Sequence, residues 1–293
     1  VKLRTLLELG RVSNLPTVLS NVLCGAALSG EPLRTAPLAL ATSAGALFYV
    51  GGMFLNDAFD AEIDAKERPE RPIPSGRATR HQVLALGFGL LASGLALLAL
   101  AAFGGFSPAG APLVAAGVVT ALAVLAYDRW HKGFGWSPVV MGVCRAGLYV
   151  IGALAVSATL ERGVLLAALT LLLYIVGLTH IARFENASAL GRAWPTAFVF
   201  APVALALTSP LAWVREGRVV LLLALVSVLW SIRALVFAKS GGRHIGRAVV
   251  TLIAGISLLD ALFASSRGAL GVTALALACT ALTLLLQRRI RGT

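Results

Sequence analysis

The feature that most limits what this chain can become is a succession of ten apolar runs, at residues 12–29, 37–57, 83–106, 112–127, 137–158, 164–180, 195–214, 219–238, 248–264 and 270–286. A helix needs roughly 20 apolar residues to cross a bilayer. Inside lipid the backbone must satisfy its own polar groups, which a helix does within one segment. The expected fold class is therefore all-α: a polytopic transmembrane helix bundle of nine or ten spans, forming a single unit over residues 1–293. The fourth and ninth runs are short, so nine spans with one interfacial helix is the other arrangement to expect. At 293 residues the chain is long enough for one or two soluble domains, but 58% apolar and only 13% charged residues argue against both.

A net charge of +12 raises the question of nucleic acid, yet no soluble basic domain exists to carry it, and no nucleic-acid partner is expected. The charge has a better explanation in the membrane. With the N-terminus inside, eighteen of the 25 Lys and Arg residues fall on inward-facing segments and five on the opposite side, leaving Arg145 and Arg233 within spans. That asymmetry is the one expected of a multi-pass protein of the cytoplasmic (inner) membrane. The loops after the second, fourth and sixth runs then share one cytoplasmic mouth. No cleavable leader is expected at the basic start of the chain. Cys24, Cys144 and Cys279 lie apart inside apolar runs and read as small buried hydrophobes.

Chemistry concentrates after the second run, in Asn56-Asp57-Ala58-Phe59-Asp60-Ala61-Glu62-Ile63-Asp64, followed by Arg68-Pro69-Glu70-Arg71-Pro72-Ile73-Pro74-Ser75-Gly76-Arg77. If the preceding helix continues, Asn56, Asp60 and Asp64 sit four residues apart on one face. Like charges at that spacing repel by a few tenths of a kcal/mol, a penalty that a divalent cation removes. Mg²⁺ is commonly held by one or two carboxylates while phosphate oxygens and water complete its octahedron, so a metal-bound diphosphate is the implied ligand. Arg68, Arg71 and Arg77 supply forked donors for its other oxygens. A solvated helix end, with its acids balanced by Lys66 and the arginines, is the competing reading.

Five further places carry polar groups at span ends or inside spans. Asn14, before Pro16, either reaches into the mouth or bonds to nearby backbone. Tyr127-Asp128-Arg129-Trp130-His131-Lys132 is either a catalytic and diphosphate-binding loop, through Tyr127 and Lys132, or an aromatic interface anchor. Arg145 lies about two turns into the fifth span, too deep to reach water easily, so a buried anionic partner is expected, either Glu185 or a bound phosphate. Asp260, in the ninth span, has no obvious local cation, and whether it is exposed at the outer side depends on where that span ends. His180, Arg183, Glu185 and Asn186 end the sixth span and stand ready to orient a second cation or a leaving group.

An Asn-Asp-x-x-Asp-x-x-x-Asp motif after the second span, followed by Arg-Pro-x-Pro-Ser-Gly-Arg, resembles the UbiA superfamily of intramembrane prenyltransferases. The resemblance is specific through 56–64 and 71–77 and extends, in span order, over nearly the whole chain. It implies Mg²⁺-dependent transfer of a prenyl group from an isoprenyl diphosphate to an aromatic or other lipophilic acceptor in the membrane. Asn56, Asp60 and Asp64 would hold the metal, while Asn14, Arg68, Arg71, Lys132 and Arg183 would contact substrate. Asp60, Asp64, Tyr127, Arg145 and Glu185 would serve the chemistry. Two departures stand out. The family's second aspartate pair after the sixth span is missing, and the tyrosine-to-lysine spacing is longer by one. The chain therefore looks like a divergent bacterial branch, similar to the EboC-like proteins, and a non-catalytic isoprenoid or lipid carrier is the alternative. A phosphatidyl-alcohol transferase also uses aspartates and Mg²⁺, but the residues expected beside them are absent around Asp57 to Asp64.

Overall fold

The structure is a computed structural model that describes residues 1–131, 135–184, 194–208 and 217–290. The described residues are helical, with no strand among them. In chain order the helices are α1 (Leu3–Leu9), α2 (Leu15–Leu28), α3 (Thr35–Phe59), α4 (Ala61–Glu67), α5 (Arg80–Phe103), α6 (Ala111–Trp130), α7 (Ser137–Val156), α8 (Arg162–Ala182), α9 (Ala201–Ala206), α10 (Arg218–Lys239), α11 (Arg243–Ser265) and α12 (Leu270–Gln287). Short 3₁₀ turns at Val12–Asn14 and Trp194–Phe200 lead into α2 and α9. Eight of these helices are long and apolar enough to cross a membrane, and two apolar helices, Val12–Leu28 and Trp194–Ala206, are shorter.

The short helices are not the ones expected. The fourth and ninth apolar runs grow into α6 and α11 because the helices continue into polar ends such as Asp128-Arg129-Trp130, where hydropathy falls but hydrogen bonding does not. The first and seventh runs are the ones curtailed. Pro16 opens α2 after a 3₁₀ turn, and Pro202, which has no N–H to donate, stands where the 3₁₀ segment gives way to α9. The chain is a multi-pass membrane protein. Leu222, Leu225 and Leu229 on α10 and Val119 and Leu122 on α6 turn outward, as helix faces against lipid do.

Two large apolar clusters fill most of the interior, beside two small ones. One joins α3, α5 and α6, the other joins α8 to α12, and α2 and α7 contribute to both. Those two helices meet backbone to backbone. A Cβ on Gly25 would strike the Tyr149 carbonyl, and one on Gly152 would strike the Val22 carbonyl. Small residues permit such approach between helices in a membrane, where packing rather than water expulsion drives association. The result is a rigid seam through the bundle centre, and it carries Asn14, Asn21 and Arg145.

Candidate active site

The acid-rich segment is not one continuous helix. α3 ends at Phe59, Asp60 stands between helices as the residue before α4, and the Asp60 and Asp64 amides donate to Asn56 and Asp60 carbonyls at 2.9 Å each. The break keeps near-helical geometry, so the four-residue spacing still sets the face. Asn56, Asp60 and Asp64 are buried and line one polar hollow of about 660 Å³, while Glu62 between them points out. Arg68, Arg71, Tyr127 and Arg183 line the same hollow. Segments near residues 60, 127 and 183 thus converge from three span ends, as one shared mouth requires.

Arginines hold this wall together. Arg71 Nη1 donates to Asp64 Oδ2 at 2.7 Å and to Asp57 Oδ1 at 3.4 Å, and Arg11 Nη2 donates to the same Asp57 oxygen at 3.1 Å. Arg11 takes φ 42°, a left-handed conformation that costs a non-glycine residue of order 1 kcal/mol or more. Its neighbours enforce that conformation, since Tyr49 Oη donates to the Arg11 carbonyl at 3.2 Å while Asp57 takes the side chain. Burial is the largest influence on Arg11 and works against its charge, but Asp57, Tyr49, Tyr127 and Asp128 together outweigh it and raise its pKa. Asp60 meets His131 Nε2 at 3.4 Å, and the His131 ring stacks on Tyr127 with centroids 5.0 Å apart.

The polar hollow adjoins a second, apolar one of about 260 Å³ inside the bundle, and Arg11, Arg68, Arg71, Tyr127, Thr179 and Ala182 line both. Asn14, Asp128 and Arg145 face the inner cavity among Phe48, Leu148, Ile175 and Ile253. Asn14 is buried and accepts from Gln287 Nε2 at 2.9 Å, tying α2 to α12. Asp128 Oδ2 is buried with no hydrogen-bond partner among the described residues. Asn56, Asp60 and Asp64 on the polar hollow are hard oxygen donors of the kind Mg²⁺ takes, and Asp128 offers an orphan buried carboxylate oxygen on the neighbouring inner cavity. Among the described residues no three of His, Cys, Asp and Glu converge as a preformed metal cage. That is compatible with an ion whose remaining ligands are phosphate oxygens and water.

Several expectations change. Arg77 leaves the site: it binds Glu8 and the Glu70 carbonyl near the surface, holding the Glu8 carboxyl below its ordinary range, and lines neither hollow. Arg145 pairs with no carboxylate among the described residues; Thr17 Oγ1 at 3.0 Å and Asn21 Oδ1 at 3.2 Å accept from its Nη1 instead. Asp260 is fully buried rather than exposed at the outer side, because Asn21 Nδ2 and Tyr149 Oη donate to it from α2 and α7. His180 packs edge-on to Phe184 and lines neither hollow. Lys132, Glu185 and Asn186 lie outside the described residues. Arg11, Asp57, Asp128 and His131 belong to the site without having been singled out, although all but Arg11 stand inside the two motifs already marked.

A model of the UbiA prenyltransferase family matches residues 18–291. The chain belongs to that family. A digeranylgeranylglyceryl phosphate synthase from Ignicoccus hospitalis is 47% identical over 93 residues, 32% of this chain and 30% of the relative, so the match spans about a third of that relative's length. A UbiA homolog from Aeropyrum pernix K1, solved in its apo form, superposes with TM-score 0.67 at 20% identity, covering 85% of this chain and 96% of its own. A UbiA homolog from Archaeoglobus fulgidus bound to GPP and Mg²⁺ superposes with TM-score 0.66 at 12% identity, covering 92% of this chain and 99% of its own. At these identities the solved structures establish the fold. The bacterial, EboC-like branch remains an expectation of the sequence alone.

Proposed function

We propose that this protein, as one unit over residues 1–293, transfers a prenyl group from an isoprenyl diphosphate to an aromatic or other lipophilic acceptor within the membrane, using Mg²⁺. The observation that carries the reading is the adjacency of an acid-and-arginine hollow and an apolar cavity that share lining residues. A diphosphate and its prenyl chain need those two environments side by side. Asn56, Asp60 and Asp64 are the metal-holding set, and Arg68, Arg71 and Arg183 serve the phosphate oxygens together with Lys132. Bound Mg²⁺ would neutralise the departing diphosphate as the allylic carbon gains positive charge. Tyr127, at the junction of the two hollows, lies where that charge develops, and its ring face favours a cation. Apolar walls exclude water from the carbon, which protects it from hydrolysis. No protein nucleophile is required. The mouth faces the cytoplasm of a cell whose inner membrane holds the chain, on the distribution of Lys and Arg.

Two of the comparisons support this reading from outside the chain: one relative is a digeranylgeranylglyceryl phosphate synthase and one structural neighbour holds GPP and Mg²⁺. A carrier that binds without turnover is favoured by one feature, the single carboxylate, Glu185, in the segment 180–186 where the family has two aspartates. Incubating the purified protein with Mg²⁺, a series of prenyl diphosphates and a panel of acceptors, then weighing the products, separates the two. Transfer predicts Mg²⁺-dependent diphosphate release and a product heavier than the acceptor by one prenyl unit. Diphosphate bound but never released across the panel would establish the carrier.

A further inference from the structure

We propose that Arg145 forms a second anion site, inside the apolar cavity and separate from the diphosphate mouth, which receives a carboxylate or phosphate group of the acceptor. Calling that ligand the acceptor rests on the prenyl-transfer reading; the anion site itself rests on geometry.

Arg145 lies eight residues into α7 from Ser137, roughly 12 Å along the helix from the mouth. A guanidinium at such depth is costly without an anionic partner. Among the described residues no carboxylate lies within 4.0 Å of it, and its recorded hydrogen bonds, to Thr17 and Asn21, use Nη1 alone. Arginine carries five N–H donors in a planar fork, so most of its capacity remains for something else. Its Cζ sits 5.4 Å from the Tyr49 ring centroid, a contact that favours the charge without neutralising it. The side chain borders the cavity, with Met141, Cys144 and Leu148 of its own helix beside it.

Asp260 offsets part of this charge from the far side of Asn21, but no carboxylate among the described residues pairs with the guanidinium directly. Both oxygens of Asp260 lie within 3.0 Å of Asn21 Nδ2, and Tyr149 Oη donates to Asp260 Oδ1 at 2.5 Å. A carboxylate accepts, so the Asn21 amide must turn its NH₂ toward Asp260 and its Oδ1 toward Arg145. Asn21 and Asp260 are therefore positioning residues: they fix the guanidinium through an amide while keeping the acid one residue away. A ligand bearing a planar or tetrahedral oxyanion suits the remaining fork, and the apolar walls suit the body attached to it. This cavity would accordingly select acidic acceptors over neutral ones of the same shape.

The test measures binding to the purified full chain in nanodiscs with two matched pairs: a hydroxybenzoic acid against its methyl ester, and a 1-alkylglycerol 3-phosphate against the 1-alkylglycerol. The wild type is expected to prefer the acid at least tenfold in one pair, and that pair identifies whether the acid is an aromatic carboxylate or a lipid phosphate. Arg145→Met is expected to abolish the preference while neutral-analogue binding and Mg²⁺-dependent geranyl diphosphate binding stay within twofold. Arg145→Lys, which keeps the charge and guards against misfolding of the methionine variant, is expected to retain part of it. No preference in the wild type, or a preference that survives in both variants, would overturn the proposal. Asp60→Ala in the same assay separates the two readings. If it leaves geranyl diphosphate binding intact, the prenyl-transfer reading falls, while an Arg145-dependent acid preference still establishes the anion site.

Discussion

Two buried acidic sites in this molecule, a cluster at the mouth and the lone Asp260, are stabilised in opposite ways. At the mouth, Asp57, Asp60 and Asp64 face cations: Arg11, Arg71 and the imidazole of His131. At the α2–α7–α11 seam, Asp260 faces neutral donors, the Asn21 amide and the Tyr149 hydroxyl. Charge held by arginines that line an open hollow can be handed to an incoming metal and phosphate with little reorganisation. Charge held by short hydrogen bonds between packed helices cannot be moved without taking the bundle apart. The first arrangement suits exchange of ligands, and the second suits a fixed framework.

That contrast can be broken experimentally, beginning where the effect is largest. Asp60→Ala and Asp64→Ala should each lower Mg²⁺-dependent turnover by about two to three orders of magnitude, measured as diphosphate release, while leaving the melting temperature near that of the wild type. Asp260→Leu should do the reverse in kind. It leaves the Tyr149 hydroxyl and one Asn21 donor buried without an acceptor, at roughly 1–3 kcal/mol each, so denaturation in detergent should detect a loss of about 2–6 kcal/mol in all. If Asp260→Leu melts like the wild type, the seam is not the framework described.

Smaller changes sharpen the same comparison. Gly152→Val forces a side chain against the Val22 carbonyl and should destabilise the bundle by about 1–3 kcal/mol, seen as a lower melting temperature, with Arg145 displaced alongside. His131→Asn removes the imidazole beside Asp60 and the stack on Tyr127; turnover should fall by less than about tenfold, as a single partner lost from a wall of several. The smallest effect belongs to Glu8, whose carboxyl is held below its ordinary range by Arg77. The stability it contributes is present above the ordinary glutamate pKa and is lost as pH falls through the lowered value. The pair is partly exposed, so Glu8→Gln should shift a pH–melting curve only slightly, and only on its acid side.

The spans were legible because a long apolar run in lipid has no alternative to a helix, and the Asn56, Asp60, Asp64 face because a four-residue spacing survives even a break at Asp60. Helix lengths were less so. Hydropathy drops at Asp128 and at Arg247, yet α6 and α11 run on through them, while Pro202 in an equally apolar run marks where the short α9 begins. The seam could not be read at all. Asn21 and Asp260 stand 239 residues apart, and nothing in the local spacing of either links the first apolar run to the ninth. Arg11 was hidden for a different reason: its place in the site depends on a left-handed turn at a non-glycine residue, which sequence gives no ground to expect.

The most direct test of the central claim is equilibrium binding of geranyl diphosphate to the purified chain with and without Mg²⁺, in the wild type and in the double variant Asp60→Ala/Asp64→Ala. The account predicts that Mg²⁺ tightens binding at least tenfold in the wild type and has no effect in the variant. The same Mg²⁺ dependence in both proteins would contradict it.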